Sequence, residues 1–144
     1  MAKIDLTQPT TVIIPVATAI ERTTNWRNFV TKVSPSASAR KLPKAVYISK
    51  DDIEKLSRLM HQNEDLVGVR AYFTIDIPAE EEVVNDVSFV MVPVRKVEGK
   101  TFGEDVLYKA DSGKDINDPD DSEVYDYTMP CPTACDEDSP LFGG

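Results

Sequence analysis

Cysteine, histidine, tryptophan and glycine are scarce in this chain, and each scarcity removes a class of protein. The 144 residues hold two cysteines, one histidine, one tryptophan and six glycines. Two cysteines make no disulfide framework of the kind small secreted domains rely on. With His61 they supply three soft ligands where a zinc site takes four. The glycines are scattered, Gly143 and Gly144 being the one adjacent pair, so no glycine-rich loop cradles a phosphate. No nucleophile and orienting carboxylate can be assigned around His61, and no catalytic residue follows from the sequence. Long apolar runs are missing too. None approaches the length of a bilayer span, and the apolar run over 12–16 is too short for a secretion signal. The chain is expected in the cytoplasm and off the membrane.

Charge is present but unevenly placed. Sixteen bases stand against 25 acids, a net of −9. Residues 111–144 hold ten acids and one base, Lys114, and so carry that whole imbalance, while residues 1–110 are neutral. Between Glu21 and Asp51 lie seven bases (Arg22, Arg27, Lys32, Arg40, Lys41, Lys44 and Lys50) and no acid. A basic stretch and an acidic tail attract each other, within a chain or between chains. A phosphate backbone meets a repulsive overall field, which excludes nucleic acid as a general partner.

Pro15 suits a first helical position, and Val16, Ala19, Ile20, Thr23, Trp26 and Val30 recur at helical spacing, which predicts a helix over 15–32. The Ser-, Pro- and Ala-rich stretch from 34, running to 44, reads as a linker that makes this helix an arm. A short strand is expected over 45–48. Ser49 reads as an N-cap, with Asp51, Asp52 and Glu54 after it and Arg58 and His61 further on, the order a helix dipole favours. This predicts a helix over 50–62 with Ile53, Leu56 and Met60 inward.

Residues 67–77 alternate. Val67, Val69, Ala71, Phe73, Ile75 and Ile77 form one face, and Gly68, Arg70, Tyr72, Thr74 and Asp76 form the other, expected to be the wet side. A second strand over 87–97 is apolar on both faces; Pro93 cannot donate to a ladder, so pairing lapses there or that side is an edge. The stretch 78–86 reads as a solvated hairpin loop, Glu98-Gly99 as a turn, and 102–108 offers a last strand. The expected class is α+β: two helices with a small, mainly antiparallel sheet in one domain over 1–110, then a long extended acidic tail over 111–144 that composition predicts to be disordered.

Within the tail, Cys131 and Cys135 read as a small disulfide or thiol pair. The alternatives are a redox pair, half a metal site or an interchain crosslink. Asp126, Asp136, Glu137 and Asp138 around them lower the thiolate fraction and speak against a nucleophile. Asp115, Asn117, Asp118, Asp120, Asp121 and Glu123 offer oxygen ligands at roughly the spacing of a calcium loop, but Pro119 interrupts them and Gly113 precedes them. A solvated acidic linker is the plainer reading; metal binding stays open and no cofactor is indicated. The closing Leu141-Phe142-Gly143-Gly144 has the pattern of a ubiquitin-like tail, but such proteins begin with a strand hairpin and this chain with a helix.

Thr24-Asn25-Trp26-Arg27, Gly68-Val69-Arg70-Ala71-Tyr72 and the run from Tyr125 to Pro132 together resemble a set of small bacterial proteins ending in a Pro-Cys-Pro-x-x-Cys motif, over most of the chain. The resemblance carries no activity. It implies that the cysteine tail belongs to the design of the protein. The expected function is non-catalytic interaction or self-assembly, with a protein partner or homo-oligomer formed through the tail. The tail would dock on a basic surface of a neighbouring or partner chain built from Trp26, Arg27, Lys32, Arg40, Lys41 and Lys44. Surface ion pairs are worth little, so Tyr125, Tyr127, Met129, Leu141 and Phe142 are expected to anchor it. The alternatives are a ligand-binding domain or enzyme using the Arg70–Tyr72 sheet face, and a metal-binding tail.

Overall fold

Two helices and two small sheets carry the described residues. The computed structural model describes residues 13–33, 43–75, 87–126, 128–131 and 135–143. In chain order these form α1 (Val16–Val33), β1 (Ala45–Ile48), α2 (Lys50–Gln62), β2 (Leu66–Thr74), β3 (Ser88–Val97), β4 (Lys100–Asp105), a 3-10 turn at Pro119–Asp121, and β5 (Thr128–Cys131). Strands β2, β3 and β4 make an antiparallel sheet with β3 in the middle, and β1 and β5 make a separate two-stranded antiparallel ribbon. The α+β class is as expected. The chain gathers into two compact units: one from the described residues of 49–72 and 90–127, the other from those of 11–48, 73–89 and 128–144. Residues 34–42 of the linker expected over 34–44, and the whole loop expected over 78–86, lie outside the described residues.

In the first unit, Ser49 caps α2 as its sequence position predicts. Its hydroxyl accepts the Asp52 N–H at 3.1 Å, satisfying a first-turn donor that has no helical partner, and donates to the Asp52 carboxylate at 2.7 Å. Leu56 and Met60 are half-buried, but Ile53 is exposed, so the inward stripe lacks its expected first residue.

The centre of this unit is β3, where Met91, Val92, Pro93 and Val94 are buried in succession. An apolar strand covered on both faces reads this way. A proline inside a central strand needs an account of its missing donor. Met91 exchanges both backbone bonds with Tyr125 at 2.8 Å, the Pro93 carbonyl accepts from Val106 N–H at 2.9 Å, and Val94 and Arg95 stand opposite Asp105 and Glu104. Alternate residues bond to the same side, so the donor Pro93 lacks falls where the partner of β3 changes from β4 to Tyr125. The lapse expected at Pro93 is therefore real, and it sits inside the sheet. Gly99, at φ +86°, supplies the left-handed residue of the tight turn joining Val97 to Lys100.

The disorder expected beyond Ala110 is corrected for residues 111–126. Glu123 N–H reaches the Leu107 carbonyl at 2.9 Å and Lys109 N–H reaches that of Asp121 at 2.8 Å, tying 107–109 to 121–123. Between them the acids hold their own backbone: Asp115 accepts Asn117 N–H at 3.0 Å, Asp118 accepts Asp120 N–H at 2.9 Å, and Asp121 accepts Asp115 N–H at 3.0 Å. Aspartates that count toward disorder by composition are also short acceptors that build turns.

The face reading of β2 is also corrected. Val69, Ala71, Phe73 and Ile75 are exposed, Phe73 by 76%, and Val67 is half-covered, while on the other face Gly68, Arg70 and Thr74 are half-covered and Tyr72 is exposed. A period of two defines two faces without saying which is covered. Here the polar face can be covered because its charge is matched: Arg70 donates to the Asp105 carboxylate of β4.

In the second unit, α1 presents Val30 fully buried and Ala19, Ile20 and Thr23 half-buried, whereas Val16, Trp26, Phe29 and Val33 are exposed. The ribbon pairs Ala45 with Cys131, Val46 with Pro130, Tyr47 with Met129 and Ile48 with Thr128. Phe73 and Phe89 also pack here edge to face, their centroids 4.7 Å apart.

Candidate docking site

Four of the residues on which the sequence pointed to docking, Arg27, Lys44, Leu141 and Phe142, come together in the second unit. Arg27 is half-buried on α1, one turn after Thr24, whose hydroxyl donates to the Ile20 carbonyl at 2.7 Å and accepts from the Arg27 guanidinium at 3.0 Å. Held this way, the other guanidinium nitrogen donates to the Leu141 carbonyl at 2.8 Å. Gly143 lies under the same guanidinium with φ +70°; any Cβ there would meet the guanidinium carbon at a separation real contacts do not adopt.

The segment reaches this place by two tight turns. Ser139 N–H bonds to the Asp136 carbonyl at 3.2 Å and Phe142 N–H to that of Ser139 at 3.0 Å. The side chains of Asp136 and Ser139 accept the N–H groups of Asp138 and Leu141. Asp and Ser initiate turns for this reason. The turns carry Phe142 inward, 9% exposed, where the Lys44 ammonium sits 3.6 Å from its ring centroid. Lys44 is placed in turn by Trp26, whose indole N–H donates to the Pro43 carbonyl at 2.7 Å.

Upstream of the turns, Cys135 is disulfide-bonded, and the sequence holds one other cysteine, Cys131. Further upstream is the β1–β5 ribbon. Its cross-strand pair Tyr47 and Met129 is 52% and 54% exposed, so one face of the ribbon shows two large apolar side chains side by side.

Arg27 and Lys44 thus meet Leu141, Phe142 and Gly143 within one chain. Trp26 holds Pro43 and does not touch these residues by hydrogen bond; its ring stands 6.1 Å from that of Phe29. Lys32 is exposed in the last turn of α1. Arg40, Lys41 and Tyr127 lie outside the described residues. Tyr125 belongs to the first unit, bridged to Met91 with its hydroxyl donating to Glu123. The roles of Thr24, Pro43 and Gly143 were not read from the sequence. The one signal available was the terminal glycine pair, which reads there as a conjugation pattern.

The Arg70–Tyr72 face has a different character. Arg70 and the Tyr72 hydroxyl both donate to Asp105, and Arg70 also donates to the Phe102 carbonyl at 2.6 Å. Desolvation opposes the Arg70 charge, but the hydrogen bond and charge of Asp105 outweigh it and raise its pKa. The Asp105 bond likewise raises the Tyr72 hydroxyl above 10.0. These groups are committed to one another. A cavity of about 320 Å³ in this unit lies elsewhere, lined by Lys55, Arg58, Leu59, Gln62 and Tyr125. On the sheet's other face Glu104 is held below 4.5 by its bonds to Lys100 and then Arg95.

Among the described residues no three of His, Cys, Asp and Glu come together as metal ligands, and no helix is long and apolar enough to cross a membrane. No family model, no curated protein and no solved structure matches this chain.

Proposed function

We propose that this chain is a non-catalytic interaction protein whose C-terminal segment is its docking element. The segment seats on a surface around Arg27 and Lys44 of a neighbouring or partner chain. The observation that carries the reading is the fit of Leu141 to Gly143: a charged donor on a backbone carbonyl, a cation over a buried ring, and a glycine where a side chain has no room. Burying a phenylalanine is worth about 1.5–3 kcal/mol, and a cation over its face about 0.5–2 kcal/mol. Forces of that size hold a segment reversibly, as a docking element requires. The exposed acids Asp136, Glu137 and Asp138 complement the basic surface but add little through ion pairing in water.

The test is a titration of a chain ending at Asp126 with a peptide of residues 128–144, followed by heteronuclear NMR. Saturable binding is expected, with shifts at Arg27 and Lys44. The Trp26 indole resonance, held by Pro43, reports whether the shortened chain keeps its fold. Failure to bind while that resonance is retained overturns the proposal.

A further inference from the structure

We propose that the cleft along α2 binds a small organic anion, a carboxylate or phosphate carried on an apolar body. The site lies wholly in the first unit and stands independently of the docking reading.

The spacing of the lining residues is the first argument. Lys55, Arg58, Leu59 and Gln62 stand at i, i+3, i+4 and i+7 of α2, which puts all four on one face of the helix. With Tyr125 they line a cavity of about 320 Å³. That is the small end of ligand sites, which run from roughly 300 to 1,000 Å³. Leu59 and Tyr125 are half-buried and give it apolar walls, whereas Lys55, Arg58 and Gln62 are exposed and give it a polar mouth.

Charge is the second. The lining holds two cations and no acid. Among the described residues Arg58 makes no ion pair, although Glu54 precedes it by one turn. Lys55 is paired with Asp51 at 2.9 Å, but both side chains are more than half exposed, and such a pair is worth little in water. An anion in the cleft can therefore take Arg58 and share Lys55. The planar fork of a guanidinium fits the paired oxygens of a carboxylate or phosphate. Glu123, the acid beside Tyr125, already accepts the tyrosine hydroxyl. The negative end of α2 is muted as well: Asn63 donates to the Leu59 carbonyl at 2.9 Å and to that of Met60 at 3.4 Å.

The third argument is that the walls are held before a ligand arrives. Tyr125 exchanges both backbone bonds with Met91 at 2.8 Å, and Met91 is buried in β3. A preformed wall loses little freedom on binding, which leaves more of the contact energy as affinity.

The experiment titrates the full-length protein with benzoate, phenyl phosphate, inorganic phosphate and uncharged benzamide at constant salt, followed by heteronuclear NMR. Benzoate or phenyl phosphate is expected to saturate, with shifts at the amides of Arg58, Leu59, Gln62 and Tyr125; whichever binds tighter identifies the anionic group. Inorganic phosphate, which lacks the apolar body, and benzamide, which lacks the charge, should both bind more weakly. Arg58→Gln should weaken the better probe roughly fivefold, the loss of one favourable charge contact. Arg22→Gln, the same change on exposed α1, should leave it unaltered. Protection of the Met91 amide reports that each variant keeps its fold. The proposal is overturned if neither aromatic anion saturates, if benzamide binds as tightly as benzoate, or if the two arginine variants respond alike. Displacement of the bound probe by the peptide of residues 128–144 would also overturn it, by making the cleft a dock for the acidic segment.

Discussion

The guanidinium of Arg27 lies over Gly143, and Gly143 takes a left-handed backbone, φ +70°, beneath it. Each fixes the other: the glycine leaves room for the guanidinium, and the guanidinium reaches past it to the Leu141 carbonyl at 2.8 Å. A side chain at 143 would displace the end of Arg27 rather than the backbone, since that end is the mobile part.

Gly143→Ala should therefore undock the C-terminus without unfolding the protein. Alanine in the left-handed region costs about 1–2 kcal/mol, and the bond to Leu141 is lost as well. Hydrogen exchange at the Phe142 amide, now bonded to Ser139, is expected to speed up roughly tenfold, as about 1.4 kcal/mol implies. Amides of the β3–β4 ladder should not change. An unaltered Phe142 rate would mean that Arg27 does not hold this segment.

Trp26→Phe keeps the aromatic body and removes the indole N–H, leaving the carbonyl of buried Pro43 without that donor. The expected cost is about 1 kcal/mol, read by circular dichroism as a lower denaturant midpoint at unchanged slope. No shift would show that water replaces the indole there.

The pH response of the first unit follows from two groups shifted in opposite directions. Tyr72 has its pKa raised above 10.0, chiefly by donating to Asp105, so the fold prefers the neutral phenol. The stabilisation is complete below pH 10 and is lost as pH rises through the raised value. Glu104 has its pKa lowered below 4.5, first by Lys100 and then by Arg95. Its contribution is present above 4.5 and is lost as pH falls through the lowered value. The tyrosinate absorbance difference between wild type and Tyr72→Phe should show a transition above pH 10 that Asp105→Asn moves down. A transition at or below pH 10 in the wild type contradicts the bond as drawn.

The disulfide at Cys135 stands between β5 and the two turns. Holding Cys135 in a disulfide limits the positions open to the two turns that follow it, so their dock forms at a higher effective concentration. Treatment with a dithiol reductant, or replacement of Cys131 and Cys135 by serine, should speed exchange at the Phe142 amide on the order of tenfold, within the range that closing a short loop contributes. The first unit should be indifferent. Equal rates in oxidised and reduced protein would confine the disulfide to a local role.

Both helices and the strands β1 to β3 were legible in the sequence within a few residues, because periodicity and the Ser49 cap act locally. β5 was not. Four residues that include Pro130 carry no strand pattern, and their pairing with β1 is a long-range event. The covered face of β2 was misread because it depends on Asp105, which β4 brings alongside Arg70 and Tyr72. Of the docking site, the basic residues and Phe142 could be named from charge and composition. The turn chemistry of Asp136 and Ser139 that delivers Phe142 to Lys44 was hidden in a stretch that looked merely acidic.

The bonds from Leu107 and Lys109 to Glu123 and Asp121 have a practical corollary. They clamp both ends of the excursion 110–120, so its two stems stay side by side whatever lies between them. An epitope, a fluorophore acceptor sequence or a purification tag grafted into this loop changes only a loop length, for which the entropic toll grows slowly. The grafted chain would leave the β3–β4 ladder untouched, and so offers a handle by which the first unit can be followed.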